Sequence, residues 1–296
     1  MELNLYDIKT IKELMSLHGI TFRKEFGQNF LTNPCVTEDI ADNCCDGRSK
    51  SILEIGPGIG TLTRELAQRY ENVLALEIDR GLIPLLSFTL ASYGNVKVVN
   101  EDVMKADLKE LLRPYFEKGP VSVCANLPYY ITTPVLMLLL ESELPFDYIT
   151  VMIQSEVADR LCAKAGSSVY GAITAVLAYY GVAEKLFEVH AHNFIPQPKV
   201  DSTVIRIKLY GDKNPYRPKD KKIMFRTIKA AFEQRRKTLT NALSAGFSEL
   251  TKDELTDAVV SCGHRADIRG EKLDITQFVE LSDRLADILE SKKTSD

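Results

Sequence analysis

Five short apolar runs recur through the first half of this 296-residue chain: Ser51–Ile55, Val73–Ile78, Val96–Asn100, Val121–Ala125 and Tyr148–Ile153. An amphipathic segment separates each from the next: Leu62–Tyr70, Leu82–Tyr93, Leu108–Glu117 and Pro134–Glu143. Runs that are apolar at nearly every residue must be buried on both faces. Alternating with helices, they predict an α/β fold, a parallel sheet covered on both sides. Two more β-rich runs, Lys185–Val189 and Ser202–Leu209, would complete the sheet as a hairpin-like edge. Helical spacing is also present before the first strand, over Ile8–Leu17 and Val36–Asn43.

The pattern changes at Gly211–Pro218, a linker-like GDKNPYRP. Beyond it apolar residues recur every three or four positions, over Lys221–Leu243, Lys252–Cys262 and Ile275–Ser291. Asp253-x-x-Thr256 and Asp274-x-x-Gln277 are the expected helix starts. Two domains follow, 1–210 and a small all-helical one over 211–296. The most apolar stretch, Val135–Leu140, is six residues long, far short of the ~20 that span a bilayer. The start carries Glu2 and Asp7 without an apolar core, so no secretory signal is expected. The six cysteines form no C-x-x-C and do not cluster with the four histidines, so reduced, unpaired thiols, no metal and a cytoplasmic location are expected.

The first strand runs into Gly56-Pro-Gly58-Ile-Gly60 and then a helix. Glycines there allow positive φ and close approach of a ligand to the backbone, at the end of the sheet where open α/β folds bind. The third glycine comes one residue too early for a dinucleotide fingerprint. The second strand ends in Glu77-Ile-Asp79, and Glu77, 21 residues after Gly56, is placed to accept both hydroxyls of a ribose. The third ends in Asn100-Glu-Asp102, where Asp102 could accept from an adenine amine. Ribose and adenine without a pyrophosphate point to S-adenosylmethionine rather than NAD.

The fourth strand ends in Asn126-Leu127-Pro128-Tyr129-Tyr130. An adenine N6 amine is a poor nucleophile because its lone pair is delocalised into the ring. The Asn126 side-chain oxygen and the Leu127 carbonyl, held by Pro128, are suited to accept both N–H bonds and turn the lone pair towards an electrophilic methyl. Tyr129 can stack on the extruded base.

With these residues the chain resembles the bacterial small-subunit ribosomal RNA adenine N6,N6-dimethyltransferases, the kasugamycin-resistance methyltransferase family. The resemblance covers about residues 20 to 285. It rests on Phe26-Gly-Gln-Asn29-Phe-Leu31, Glu54-Ile-Gly56-Pro-Gly58-Ile-Gly60, Glu77-Ile-Asp79, Asn126-Leu-Pro-Tyr129, Gln154-Ser-Glu156, Phe194-Ile-Pro-Gln-Pro-Lys199-Val-Asp201-Ser202 and Phe232-Glu-Gln-Arg235-Arg236-Lys237. It implies a class I, Rossmann-like methyltransferase sheet with a helical RNA-binding domain. The co-substrate would be S-adenosyl-L-methionine, without a metal. Matching donor positions are Asn29, Leu31, Gly56, Glu77, Asp102 and Asn126, with Gly58 in the same turn. Phe194 corresponds to an aromatic facing Tyr129 across the target base. The implied substrate is two adjacent adenosines in the 3′-terminal hairpin of 16S rRNA, within the 30S subunit or its precursor, and the implied enzyme is a monomer with no membrane partner. The chain departs from the family in a sparse basic lead-in, Arg23 and Lys24, and in Thr240, where a basic residue is common.

Charge is uneven. Pro196–Thr240 holds thirteen Lys/Arg and four Asp/Glu, a net +9 in a chain whose total is −4. Such asymmetry marks a polyanion-binding face. On a helical wheel Lys222, Arg226, Lys229, Arg236 and Lys237 share one arc, with Met224, Ile228, Ala231, Phe232 and Leu239 opposite. Glu233 interrupts the charged face, and Arg235 falls on the apolar side, where an acid of the first domain could pair with it. Three other readings were open to the residues: a large-subunit rRNA methylase conferring macrolide resistance, a binding factor without catalysis, and an NAD-dependent oxidoreductase.

Overall fold

The structure is a computed structural model that describes residues 3–22 and 27–293. The chain divides into two compact units. The first is Met1–Ala158 with Ala183–Gly211, and the second is Asp159–Val182 with Asp212–Asp296. The second thus takes in a segment that the sequence pattern grouped with the sheet.

In the first unit β2 (Ser51–Ile55), β3 (Asn72–Glu77), β4 (Val96–Asn100), β5 (Val121–Asn126), β6 (Phe146–Gln154), β7 (Gly181–Val189) and β9 (Ser202–Leu209) form one seven-stranded sheet, in the order β4-β3-β2-β5-β6-β9-β7. The five strands from β2 to β6 run parallel, as their apolar runs predict. β9 pairs antiparallel to β6, with Gln154 opposite Ser202, and β7 forms the edge beyond it. The hairpin-like edge is therefore interleaved: the later strand lies inside the earlier one. Every residue of β2 is buried, which explains its three aliphatic residues Ile52, Leu53 and Ile55, and Ser51 and Glu54 are buried with them. Chain order proceeds outward from β2 to β3 and β4, then returns to β5 on the other side. The switch between β2 and β5 opens the crevice where open sheets bind ligands.

Helices connect the strands: α3 (Thr61–Arg69), α4 (Ile83–Thr89), α5 (Leu108–Phe116) and α6 (Thr132–Glu141). They follow α1 (Ile8–Leu17) and α2 (Pro34–Asp42), whose N-caps Asp7 and Asn33 accept from Thr10 and Cys35 N–H groups. Between these two helices lies a two-residue strand that sequence periodicity could not reveal, β1 (Phe30–Leu31), paired antiparallel with β8 (Phe194–Ile195). Two short helices were likewise absent from the periodicity, α7 (Ser155–Leu161) and α8 (Ala172–Tyr180).

The second unit contains α8, α9 (Lys221–Glu233), α10 (Leu239–Gly246), α11 (Lys252–Ser261) and α12 (Ile275–Lys293). Its core joins Tyr170, Ala175 and Tyr179 to Ile228, Phe247 and Phe278, which is why 159–182 belongs with it. The expected single helix Lys221–Leu243 is two helices. The chain turns at Gln234–Thr238, where Leu239 N–H donates to the Ile268 carbonyl at 2.7 Å. Arg235 pairs with Glu271 at 3.1 Å and donates to the Ser168 carbonyl, both within this unit rather than in the first. The α11 start is Thr251-x-x-Glu254, a reciprocal capping box, not Asp253-x-x-Thr256, while Asp274 and Gln277 exchange hydrogen bonds as expected. Among the described residues no helix is long and apolar enough to cross a membrane, and all six cysteines are free.

Candidate methyl-donor and adenine site

A pocket lies at the carboxyl ends of β2, β3, β4 and β5, lined among others by Gly56, Glu77, Asp102, Asn126 and Tyr129. Gly56 and Gly58 both hold positive φ, 72° and 60°. A Cβ at Gly56 would point into open space, whereas one at Gly58 would stand 3.1 Å from the Phe30 ring. The first glycine thus leaves room in the pocket and the second lets Phe30 close its wall.

Glu77 is 4% exposed and lines this pocket. Its carboxylate accepts from Gly58 N–H at 3.2 Å and from Asp79 N–H at 2.8 Å, so the acid and the glycine turn are one hydrogen-bonded unit. Burial pushes its carboxyl up to about 7, against the backbone donors that pull it down. Asp102 accepts from Met104 N–H at 3.0 Å and is 3.7 Å from the Lys105 ammonium.

Asn126 ends β5. Its amide nitrogen donates to the Asn29 carbonyl at 3.1 Å, and Asn29 in turn donates to the Gly27 carbonyl at 3.1 Å. That pairing occupies the donor end of the Asn126 amide and leaves its oxygen as the accepting end. Leu127 is buried, and a Cβ at Gly27 would stand 3.1 Å from Pro128 Cβ, so the 27–31 strap lies directly on the Asn126–Tyr129 turn. Leu31 is buried and lines the pocket too. Tyr129 is half-buried, and its hydroxyl shares a 3.0 Å hydrogen bond with Ser202. Phe194, expected opposite Tyr129, is 6% exposed. It sits across from Leu31 in the β1–β8 pair, packs in one apolar cluster with Leu31 and Val204, and does not line the pocket. Phe26, Arg23 and Lys24 lie outside the described residues.

Gln28 and Glu54 also line the pocket, although sequence reasoning gave neither a role there. Gln28 donates to Asp79 at 2.9 Å, tying the strap to the end of β3. Its signal was its place between Gly27 and Asn29. Glu54 is 1% exposed, and one carboxylate oxygen has no partner among the described residues. Burial, with the Glu77 charge adding to it, pushes its carboxyl up to about 8. A raised folded value means that the native state holds this proton after the unfolded chain has lost it. Stability therefore falls as pH rises from about 4.5 to about 8, and Glu77 contributes the same sign up to about 7. Glu54→Gln is expected to be more stable than the parent by about 3–5 kcal/mol at pH 8 and nearly equal at pH 4.5. Chemical denaturation at the two pH values measures this.

In the second unit, the five expected cations do not form one helical arc. Lys222, Arg226 and Lys229 are on α9, while Arg236 and Lys237 are in the turn after it. Arg226 is engaged, bidentate to Glu249 at 2.6 and 2.8 Å and donating to the Gly246 carbonyl. Lys229 is 3.8 Å from Glu233. Lys222, Arg236 and Lys237 are exposed, and their side chains have no ion pair among the described residues.

Comparison with known proteins places this chain in a family. The profile of "Ribosomal RNA adenine dimethylase" matches residues 19–287. The chain is 45% identical over 277 residues to "Ribosomal RNA small subunit methyltransferase A" of Bacillus cereus (strain B4264), covering 93% of this chain and 94% of that one. It is 44% identical over 281 residues to the protein of that name from Clostridioides difficile (strain 630), covering 95% and 96%. Among solved structures, a dimethyladenosine transferase from Plasmodium falciparum has a TM-score of 0.69 at 22% identity, covering 90% of this chain and 98% of that one. The 23S rRNA methyltransferase ErmE also has 0.69, at 24% identity, covering 87% and 99%. At those identities the two structures establish the Rossmann-like methyltransferase fold. A family profile spanning nearly the whole chain establishes more: this protein belongs to the ribosomal RNA adenine dimethylase family.

Proposed function

We propose that the chain transfers methyl groups from S-adenosyl-L-methionine to N6 of two adjacent adenosines in the 3′-terminal hairpin of 16S rRNA. The product is N6,N6-dimethyladenosine, made in the cytoplasm late in small-subunit assembly by a monomer acting on the 30S subunit or its precursor. The observation that carries this reading is that Asn126, its amide nitrogen held on the Asn29 carbonyl, lines one pocket with Gly56, Glu77 and Tyr129. Relatives named for the small subunit, at 44–45% identity, support that RNA over the large-subunit one.

The pocket suits such a donor: there is open space at Gly56, a carboxylate at Glu77 for two ribose hydroxyls, and Asp102 for an adenine amine. The donor supplies a methyl on a sulfonium, an electrophile that needs no metal or acid to activate it. The Asn126 oxygen and Leu127 carbonyl accept the two N6 hydrogens in the first transfer, and one of them accepts the single hydrogen left in the second, which aims the lone pair and stabilises the positive charge growing on nitrogen. Each transfer breaks the sulfur–methyl bond, and the ammonium formed loses its proton to solvent. No base is needed beforehand, since that nitrogen becomes acidic only as its new bond forms. Tyr129 stacks on the extruded base, which returns about 1–3 kcal/mol of the lost stacking.

Lys222, Arg236 and Lys237 make the phosphate contacts, with Arg226 and Lys229 available when their partners release them. Binding to the particle should weaken steeply with salt. Lys237→Ala should lower the slope of log K against log salt by about one. The test of the reading is labelled-methyl transfer to 30S particles from a methylation-deficient strain, with primer extension to map the product. Two adjacent dimethyladenosines near the 3′ end are expected; methyl in 23S rRNA instead would overturn it.

A further inference from the structure

We infer that Ser202 is a positioning residue for Tyr129: the first residue of β9 fixes the angle at which that ring meets the target purine. This rests on the adenine-methylating reading above. The motif Phe194 to Ser202 was singled out in the sequence, yet the donor and acceptor chemistry uses neither Asp201 nor Ser202.

Tyr129 stands on a turn just past the end of β5, with no regular backbone pairing beyond Asn126. A half-buried tyrosine there has two free torsions, and stacking that must first freeze them loses part of its gain. The structure supplies a fixed point. Ser202 is 1% exposed, and its hydroxyl is 3.0 Å from that of Tyr129. The two residues are 73 positions apart in the chain, so the bond is tertiary rather than local.

The anchor is itself held from four sides. Ser202 is in register with Gln154 of β6. Ser155 N–H donates to the Asp201 carbonyl at 3.1 Å, and the Thr203 hydroxyl donates to that of Ser155 at 2.9 Å. The Asp201 carboxylate accepts from Ala191 N–H at 2.8 Å and lies 3.1 Å from His190 Nδ1. Asp201 and Ser202 thus share the work: the first fastens the strand start to the loop before Phe194, and the second transmits that position to the Tyr129 ring. Ser202 touches no pocket space and does no chemistry.

The test uses the full chain and three variants: Ser202→Ala, Tyr129→Phe and the double variant. Each is assayed for methyl transfer to 30S particles and for donor affinity by calorimetry. The proteins carry tyrosine labelled with ¹³C at Cζ, and the Tyr129 signal is the one that Tyr129→Phe removes. Removing one hydrogen bond should lower turnover about three- to tenfold in either single variant. The double variant should be no worse than either, and donor affinity should change less than about twofold. The Tyr129 resonance should move in Ser202→Ala. Parental turnover in Ser202→Ala, losses that multiply in the double variant, or an unmoved resonance would each overturn the inference. If the parent methylates no small-subunit RNA while the resonance moves, the tether stands and the substrate reading fails.

Discussion

Asn126→Ala should lower methyl transfer to 30S particles by about 10²–10³-fold, the usual cost of deleting one preorganised polar group at a charge-developing centre. The expectation comes from a short chain of contacts. The Asn126 amide is a bifunctional group whose nitrogen is fixed on the Asn29 carbonyl at 3.1 Å, which orients its acceptor oxygen. Alanine removes the acceptor and leaves the Asn29 carbonyl without its partner. Donor affinity should fall much less, within about tenfold, because Glu77, Asp102 and the glycine turn are untouched and one hydrogen bond is modest by comparison. Asn126→Asp keeps an acceptor but has no N–H to offer Asn29, so it should recover only part of the rate. Single-turnover kinetics beside calorimetric donor titration separate the two effects. Equal losses in both would mean that Asn126 serves donor binding alone and would end its assignment as the aiming group.

The sheet was legible because each strand carries its own signal. Ser51–Ile55, Val96–Asn100 and Ser202–Leu209 have the same bounds in sequence and structure, since each is a run rich in β-branched and aliphatic residues closed by polar or turn residues. That Gly56, Glu77, Asp102 and Asn126 would stand together was legible too, because the glycine turn and the strand-end residues follow those runs directly, and all four line one pocket. What stayed hidden depends on pairing across the chain. β1 is two residues long and exists because Phe30 and Leu31 meet Ile195 and Phe194. The burial of Phe194 follows from that pair, and so could not be read from a proline-flanked aromatic. The break after Glu233 is tertiary too: helical periodicity continues through Arg236, but Arg235 is drawn to Glu271 and Leu239 N–H to Ile268. Membership of 159–182 in the helical unit is set by Tyr170 and Tyr179 entering its core, a choice that local composition does not record.

Donor affinity should rise with pH and level off above about 7. The free protein holds the Glu77 carboxyl at about 7 because burial disfavours its charge. Two ribose hydroxyls donating to it favour the ionised form, so binding expels a proton wherever the free protein still carries one. The sign follows: below the raised value, donor binding must include deprotonation and is weaker; above it, the carboxylate is ready. With a bound-state value well below 6, affinity should increase about tenfold between pH 6 and pH 8. Calorimetry at pH 6 in two buffers of different ionisation enthalpy should register release of about one proton per donor. Glu77→Gln cannot ionise, so its affinity should be flat across this range. At pH 8 it should also be about 30-fold weaker, since hydrogen bonds to a charged acceptor are roughly twice as strong as neutral ones. Glu54 is the built-in control: it is buried two residues before the same turn, lines the same pocket, and has one oxygen without a partner among the described residues. If Glu54→Gln, rather than Glu77→Gln, abolished the pH dependence, the ribose-binding acid would be the residue before the glycine turn, and the donor would lie differently across β2 and β3.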